Sequence, residues 1–277
     1  MRFDEATLDT IIRKHVVEIL YGAADSSYLS GLRVLSDFQD LLPVFSLNHD
    51  ACLEWALSNA GIPHTTGFTA DGFWHPSAFD AMSSGIAIYK LHGSINWSRR
   101  LGESFPFCID TREEILDRLK EPCAVHHTGP GIPYRKVEYD TPKLFFGAKS
   151  KFTMEYPFLD FITEFNHRLL FASAVLLIGY GMMDRHINQL LLQGFEVAPK
   201  TIIQVNPAPF ITGDDDWSPM ILAQLGSGRF EWSNLNMALR LGSSMRLVTI
   251  RRPLEDRKTW KLVRKEVAKA IRRSNRR

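Results

Sequence analysis

An α/β protein built on a Rossmann-like parallel sheet with helices on both faces is the fold class that three features of the sequence predict. Short apolar runs at residues 44–48, 86–91, 174–178, 201–206 and 245–250 alternate with segments of helical periodicity. Most of these runs are apolar at successive rather than alternate positions, as parallel strands covered on both faces require. The 277 residues are 45% hydrophobic and 23% charged, enough for a sizeable core in a chain near the roughly 250–300 residues at which single cores stop growing.

The elements follow in order. Leu8, Ile11, Ile12, Val16, Val17, Ile19 and Leu20 fall at helical spacing, and Gly22 marks the stop. Tyr28, Leu32, Leu35 and Phe38 line a second helix, which Pro43 ends before the strand at 44–48. A helix at 52–60 closes at Gly61-Ile62-Pro63, and the strand at 86–91 runs into His92-Gly93-Ser94. Residues 100–145 lack sustained periodicity and read as an insertion or lid over a site, with a short amphipathic helix at 113–119. A helix at 158–172, with Phe161, Ile162, Phe165, Leu169 and Leu170 on one face, leads into the strand at 174–178. A helix at 187–195 precedes the strand at 201–206, stopped by Pro207, and the strand at 245–250 precedes a basic C-terminal helix. The expected organisation is a domain over 1–250, interrupted at about 100–145, and a helix over 251–277.

Composition excludes several classes. No run of about 18 apolar residues exists, so no membrane-spanning helix is expected. The start carries no apolar leader core, and Cys52, Cys108 and Cys123 are odd in number and widely spaced, which reads as a reduced, cytoplasmic protein. Without a C-x-x-C pair no thiolate zinc site is expected, and Cys123 with His126 and His127 on a Pro/Gly-rich loop lacks the spacing of a tetrahedral one. The net charge of +2 is uneven, since residues 251–277 carry twelve Lys/Arg against three Asp/Glu. Such an end fits nucleic-acid phosphates or an acidic partner surface. Trp260, Val263, Val267 and Ile271, at three- and four-residue steps, favour the plainer reading of one apolar stripe on a helix with solvated faces.

In open parallel sheets ligands bind beyond the carboxyl ends of the strands, and there the sequence concentrates polar, titratable and glycine residues. The runs end in Asn48-His49-Asp50, in His92-Gly93-Ser94, in Gly179-Tyr180-Gly181 with Asp184 close behind, and in Asn206. Singly, each has an ordinary explanation. Asn48 and Asp50 suit a helix N-cap, His92-Gly93 suits a turn, and Gly179-x-Gly181 is half a dinucleotide fingerprint, with Asp184 where the third glycine would stand.

Together they are more specific. Ser46-Leu47-Asn48-His49-Asp50, Lys90-Leu91-His92-Gly93-Ser94-Ile95-Asn96-Trp97, Ile178-Gly179-Tyr180-Gly181 with Asp184-Arg185-His186-Ile187-Asn188, and Ile203-Gln204-Val205-Asn206 occur in this order. The series resembles the sirtuin-like family of NAD-consuming enzymes, and more closely its bacterial zinc-lacking branch that hydrolyses NAD in antiphage defence. The likeness covers about residues 44–206. It implies that His92 is the catalytic histidine and that Asn48 binds the nicotinamide ribose and positions the attacking water. It further implies NAD-binding roles for Ser46, Asp50 and Gly93, for Gly179, Tyr180, Gly181 and Asp184 near ribose and phosphates, and for Asn206 near the adenosine ribose. NAD would be the substrate, no zinc would be held, and a homo-oligomer or a defence-system protein would be the partner. The chemistry is coherent: breaking the nicotinamide–ribose bond develops oxocarbenium character that fixed polar groups stabilise, and imidazole is suited to accept a proton near neutral pH.

The chain departs from the family pattern in three places. The Gly-Ala-Gly-x-Ser loop that ends the family's first strand and cradles the pyrophosphate has no counterpart before Val44, so the expectation is a first strand and loop missing from a shortened product, or an incomplete phosphate site. The nearest candidate, Gly22-Ala23-Ala24-Asp25-Ser26-Ser27, follows a helical pattern. The four-cysteine zinc module of the protein deacylases cannot form, because the corresponding interval holds only Cys108 and Cys123. His49 replaces an apolar or aromatic residue. The leading expectation is NAD hydrolysis to nicotinamide and ADP-ribose. Nucleotide sensing or assembly without turnover is the alternative, and NAD-dependent deacylation ranks last.

Overall fold

The computed structural model describes residues 26–69, 72–99, 106–108, 157–181, 184–197, 200–206 and 246–275, with single positions at 16, 19 and 20. It is a mixed α/β protein whose chain divides into two compact units, Met1–Ser30 with Gln39–Ile162, and Gly31–Phe38 with Thr163–Arg277. Where one continuous sheet was expected, the described residues form two three-stranded parallel sheets, one in each unit, and a two-stranded antiparallel ribbon. The expected helix at 113–119, the loop around His126 and His127, Cys123 and most of the helix at 8–20 lie outside the described residues.

In the first unit, β1 (Leu41–Ser46), β2 (His64–Thr65) and β3 (Gly85–Lys90) pair in the order β1-β3-β2. Between β1 and β2 lies α1 (Cys52–Asn59), and between β2 and β3 the short α2 (Ser77–Asp80). The central strand β3 is buried on both faces, with Ile86, Ala87, Ile88, Tyr89 and Lys90 all at or below 5% exposure, which is why it reads as an unbroken apolar run.

β1 starts earlier than expected and contains Pro43 rather than following it. The N–H and C=O of one residue point to the same side of a strand, and the side alternates along the chain. Asp40 and Ser46 both turn their carbonyls toward the third strand, accepting from Gly85 and Leu91 at 2.8 and 2.9 Å. The odd-numbered Pro43 therefore faces away from β3, on what is an edge strand among the described residues, and its missing N–H removes no ladder bond.

β4 (Trp97–Arg99), just before the expected irregular segment, and β5 (Pro106–Cys108), inside it, form the antiparallel ribbon. Trp97 is 1% exposed and stands among Phe68, Phe158 and Phe161 at ring separations of 5.1 to 6.1 Å. Tyr89 of β3 stacks on Phe45 and Phe79 and meets Phe161 edge-on, so one aromatic cluster covers this sheet. Phe158 and Phe161 belong to the first turns of α3 (Phe158–Phe171).

In the second unit, β6 (Ala174–Ile178), β7 (Thr201–Val205) and β8 (Arg246–Ile250) run parallel in that order, with α4 (Arg185–Val197) connecting the first two. The basic helix α5 (Arg257–Ser274) packs on all three strands. It buries Trp260, Val263, Val267 and Ala270 and exposes Arg257, Lys258, Lys261, Lys265, Arg272 and Arg273, which is the one-stripe pattern its spacing predicts. Asp256 caps it by accepting from the Lys258 N–H at 2.9 Å, a bond that holds the carboxyl below its usual range, helped by Arg252. Its Trp260 lies against Gly31 of the 3-10 helix Ser27–Leu35, so closely that any side chain at 31 would overlap the indole. Among the described residues no helix is long and apolar enough to cross a membrane.

Trp260 is 6% exposed. Trp260→Ala is expected to lower stability by about 3–5 kcal/mol in urea unfolding, and Gly31→Val to lower it in the same direction. An unchanged midpoint in both variants would contradict this packing.

Candidate functional site

The parallel pairing of β1 and β3 sets the geometry of the first unit's strand ends. Ser46 stands opposite Lys90, and the Leu91 N–H still donates to the Ser46 carbonyl at 2.9 Å. Asn48 and His92 each follow their paired residue by two positions, so both leave the sheet at the same end. The two chains stay joined past that level, because the His49 carbonyl accepts from the Ile95 N–H at 2.9 Å and from the Ser94 hydroxyl at 3.3 Å.

His92 is 8% exposed, and its ring centroid lies 6.0 Å from that of His49. Asn48 is exposed, and its N–H donates to the Ser46 hydroxyl oxygen at 3.2 Å. Gly93 donates to the Lys90 carbonyl at 3.1 Å in a tight turn with φ +81°, a left-handed conformation that favours glycine and swings the chain back directly after the histidine.

Beneath these residues lies a charged group that the sequence reading passed over. Lys90 is 1% exposed inside an otherwise apolar strand. Its ammonium donates to the Asp50 carbonyl and stands 3.4 Å from the Glu54 carboxylate on α1. A buried ammonium keeps its charge only with such partners. Here the partners sit on the loop and helix that follow β1, so the pair fastens the end of one strand to the continuation of its neighbour. The available signal was a lysine within the run 86–91 together with a glutamate in the helix pattern at 52–60.

Asp50 stands one residue before the N-cap position, which is Ala51 and carries no side-chain cap bond, and instead closes a local turn into α1, its Oδ1 accepting from the Cys52 N–H at 3.0 Å. The same neighbourhood pushes the Cys52 thiol up to about 11, through burial first and then the adjacent Asp50 carboxylate. Cys52 and Cys108 are not joined in a disulfide, and among the described residues no group of three or more His, Cys, Asp or Glu side chains is placed to hold a metal ion.

The second unit gathers the remaining candidates at its own carboxyl edge. Ile178, Val205 and Ile250 pair across the sheet. Just beyond them, Gly179 donates to the Val205 carbonyl at 3.0 Å and Asn206 to the Ile250 carbonyl at 3.2 Å. Tyr180 donates its hydroxyl to Asn188 Oδ1 at 2.7 Å, Gly181 is half-buried beside it, and Asp184, 7% exposed, accepts from the His186 and Ile187 N–H groups at 3.0 and 3.2 Å. Asp184 thus caps α4. The structure therefore brings Ser46, Asn48, Asp50, His92 and Gly93 to one edge of the first unit. It brings Gly179, Tyr180, Gly181, Asp184 and Asn206 to one edge of the second.

No protein-family model matches the chain, and no curated protein matches it.

Breaking a buried ion pair by removing one partner leaves the other charge stranded, at about 3–5 kcal/mol, whereas replacing both by apolar groups is close to neutral. Lys90→Met is accordingly expected to lower stability by about that amount, and Lys90→Met/Glu54→Leu to recover most of the loss in a urea double-mutant cycle. Additive losses in the double variant would show that the two side chains do not act as a pair.

Proposed function

We propose that this protein hydrolyses NAD to nicotinamide and ADP-ribose, with His92 and Asn48 as the catalytic residues. The observation that carries the proposal is the parallel pairing of β1 and β3, from whose common end the segments bearing positions 48 and 92 both emerge. The order of the Asn-x-Asp, Leu-His-Gly-Ser and Gly-x-Gly strand ends supports it, as does the sirtuin-like resemblance they carry.

The chemistry asks little of a general acid. NAD⁺ and water give nicotinamide, ADP-ribose and one proton. The pyridinium nitrogen takes up the electron pair of the glycosidic bond and leaves neutral, while the positive charge passes to the ribose as oxocarbenium character. Asn48, exposed at the strand end, offers a neutral amide that donates to and accepts from ribose hydroxyls and the incoming water. His92 accepts the proton as the water's oxygen bonds to the ribose carbon. Its 8% exposure keeps that base out of bulk solvent. The bacterial branch that the sequence resembles suggests antiphage defence as the setting.

A second reading, nucleotide sensing without turnover, is favoured by the occupation of two candidate carboxylates in local structure, Asp50 in the turn into α1 and Asp184 in the cap of α4. Deacylation requires a zinc module for which the chain lacks the cysteines.

Nicotinamide release from NAD, followed chromatographically, separates these readings. The wild-type chain is expected to release nicotinamide and ADP-ribose in equal amounts, and His92→Ala to lower kcat by about 10²–10⁴-fold, the range for loss of a general base. Asn48→Ala is expected to lower kcat as well while circular dichroism stays unchanged. Tight NAD binding with no release would establish the sensing reading, and full activity in both variants would overturn the assignment of the site.

A further inference from the structure

The solvated face of α5 carries a charge pattern that packing on the sheet does not require. Arg257, Lys261, Lys265, Lys269 and Arg273 follow one another at four-residue steps, a row that runs about 24 Å along the helix at 1.5 Å per residue. Lys258 and Arg272 flank it, and all but the half-buried Lys269 are exposed. We infer that this face is a docking surface for double-stranded DNA, set against the phosphates that border the major groove.

Three observations separate it from an ordinary solvated face. Exposed helix faces alternate in sign, because like charges four residues apart repel and opposite ones attract. Here Glu266 is the single acidic residue between 257 and 274, and Lys269 takes its carboxylate at 2.5 Å. Arg257 and Lys258 stand in a first turn that has no acidic residue, at the positive end of the helix dipole, where cations are unfavourable. Nor are the cations of the row consumed by neighbouring elements. The pairs of Arg252 with Asp256 and of Arg264 with Asp37 involve other positions, and among the described residues no carboxylate lies within ion-pair distance of Arg257, Lys261 or Lys265. Placements that break local rules and satisfy nothing inside the protein are those expected where a surface meets a ligand.

Charge and shape select the partner. Outside residues 251–277 the chain has more Asp/Glu than Lys/Arg, so the attraction for a polyanion is concentrated on this segment. A lipid surface takes an apolar helix face, and that of α5 is spent on burying Trp260, Val263, Val267 and Ala270. Single strands are held by aromatic stacking, which the row does not offer. A duplex presents about one negative charge per 1.7 Å of its axis, a uniform lattice that suits an uninterrupted row of one sign better than the mixed charges of a folded protein surface do. Each four-residue step also turns the row about 40° around the helix, so that its cations fan toward both walls of a groove. The major groove of B-form DNA, about 12 Å wide, admits a helix, whereas that of A-form RNA is too narrow. Lysine and arginine on phosphates give affinity without reading sequence. No residue of the proposed NAD site belongs to this face.

Fluorescence anisotropy of a labelled DNA duplex of about 20 base pairs, titrated with the full chain between about 50 and 200 mM salt, tests the assignment. The expected Kd is about 1–100 μM near physiological salt, and log K is expected to fall against log salt with a slope of about −5, for six phosphates at about 0.9 each. Lys261→Gln/Lys265→Gln, with circular dichroism unchanged, is expected to weaken binding about tenfold or more and to reduce the slope by about 2. Arg168→Gln, which removes an exposed, ion-paired cation from α3, is expected to change neither. An RNA duplex of the same sequence, poly-glutamate and anionic vesicles are each expected to bind about tenfold more weakly than DNA. Absence of DNA binding, a slope near zero in the wild-type chain, or a slope unchanged in the double variant would overturn the inference. Equal affinity for the RNA duplex, or affinity for poly-glutamate or vesicles matching that for DNA, would overturn it as well.

Discussion

A lysine that loses nearly all contact with water has to find acceptors within the protein, and Lys90 finds them on the segment that leaves the neighbouring strand. Its hydrogen bond to the Asp50 carbonyl and its proximity to Glu54 tie the last residue of β3 to the loop and helix following β1. The parallel ladder sets the two strands level, but a ladder ends where its strands end. The ammonium carries the alignment past that point, and the His49 carbonyl, held by Ile95 and Ser94, carries it further. The proximity of the His49 and His92 rings follows from that fastening rather than from any direct bond between positions 48 and 92.

The same residues serve structure and the proposed chemistry. Asp50 closes the turn into α1 and also raises the Cys52 thiol, and Asp184 caps α4 beside the Gly179–Gly181 turn. Such a bond fixes the loop that carries it, and a loop fixed at the carboxyl end of a parallel strand is where a ligand-binding group is held without further ordering cost. The plain reading of these carboxylates and the functional one therefore describe a single arrangement. Gly93 contributes the complementary constraint, a left-handed turn that reverses the chain directly after the buried histidine.

The fold was legible wherever burial is two-sided. Residues 86–91 and 201–205 announced themselves because every position of a covered parallel strand is apolar or paired, the half-buried 174–178 by its apolar run alone, and α5 through its single stripe. Pro43 was misread as a terminator, since the sequence does not reveal which way a missing N–H points, and here it points off the edge of the sheet. His64–Thr65 and Ser77–Asp80 are too short to carry a period, and the ribbon of β4 and β5 sits in a segment with no alternation to find. Of the site, the residue types at the strand ends were visible, and so was the capacity of Asp50 to bond the start of α1. The partnership of Lys90 with Glu54 was not, because it links residues 36 positions apart through a packing that no local pattern encodes. Gly31 escaped for the same reason, its role being to admit Trp260 of a helix more than two hundred residues away.

The central claim is that the ends of β1 and β3 serve one ligand. Titrating the isotopically labelled wild-type chain with ADP-ribose, a product that is not consumed, and following backbone amides by NMR tests it most directly. The expected result is that the amides of Asn48, His49, His92 and Gly93 shift together along one saturation curve. A response from one strand end without the other, or from neither while the nucleotide binds elsewhere, would contradict it.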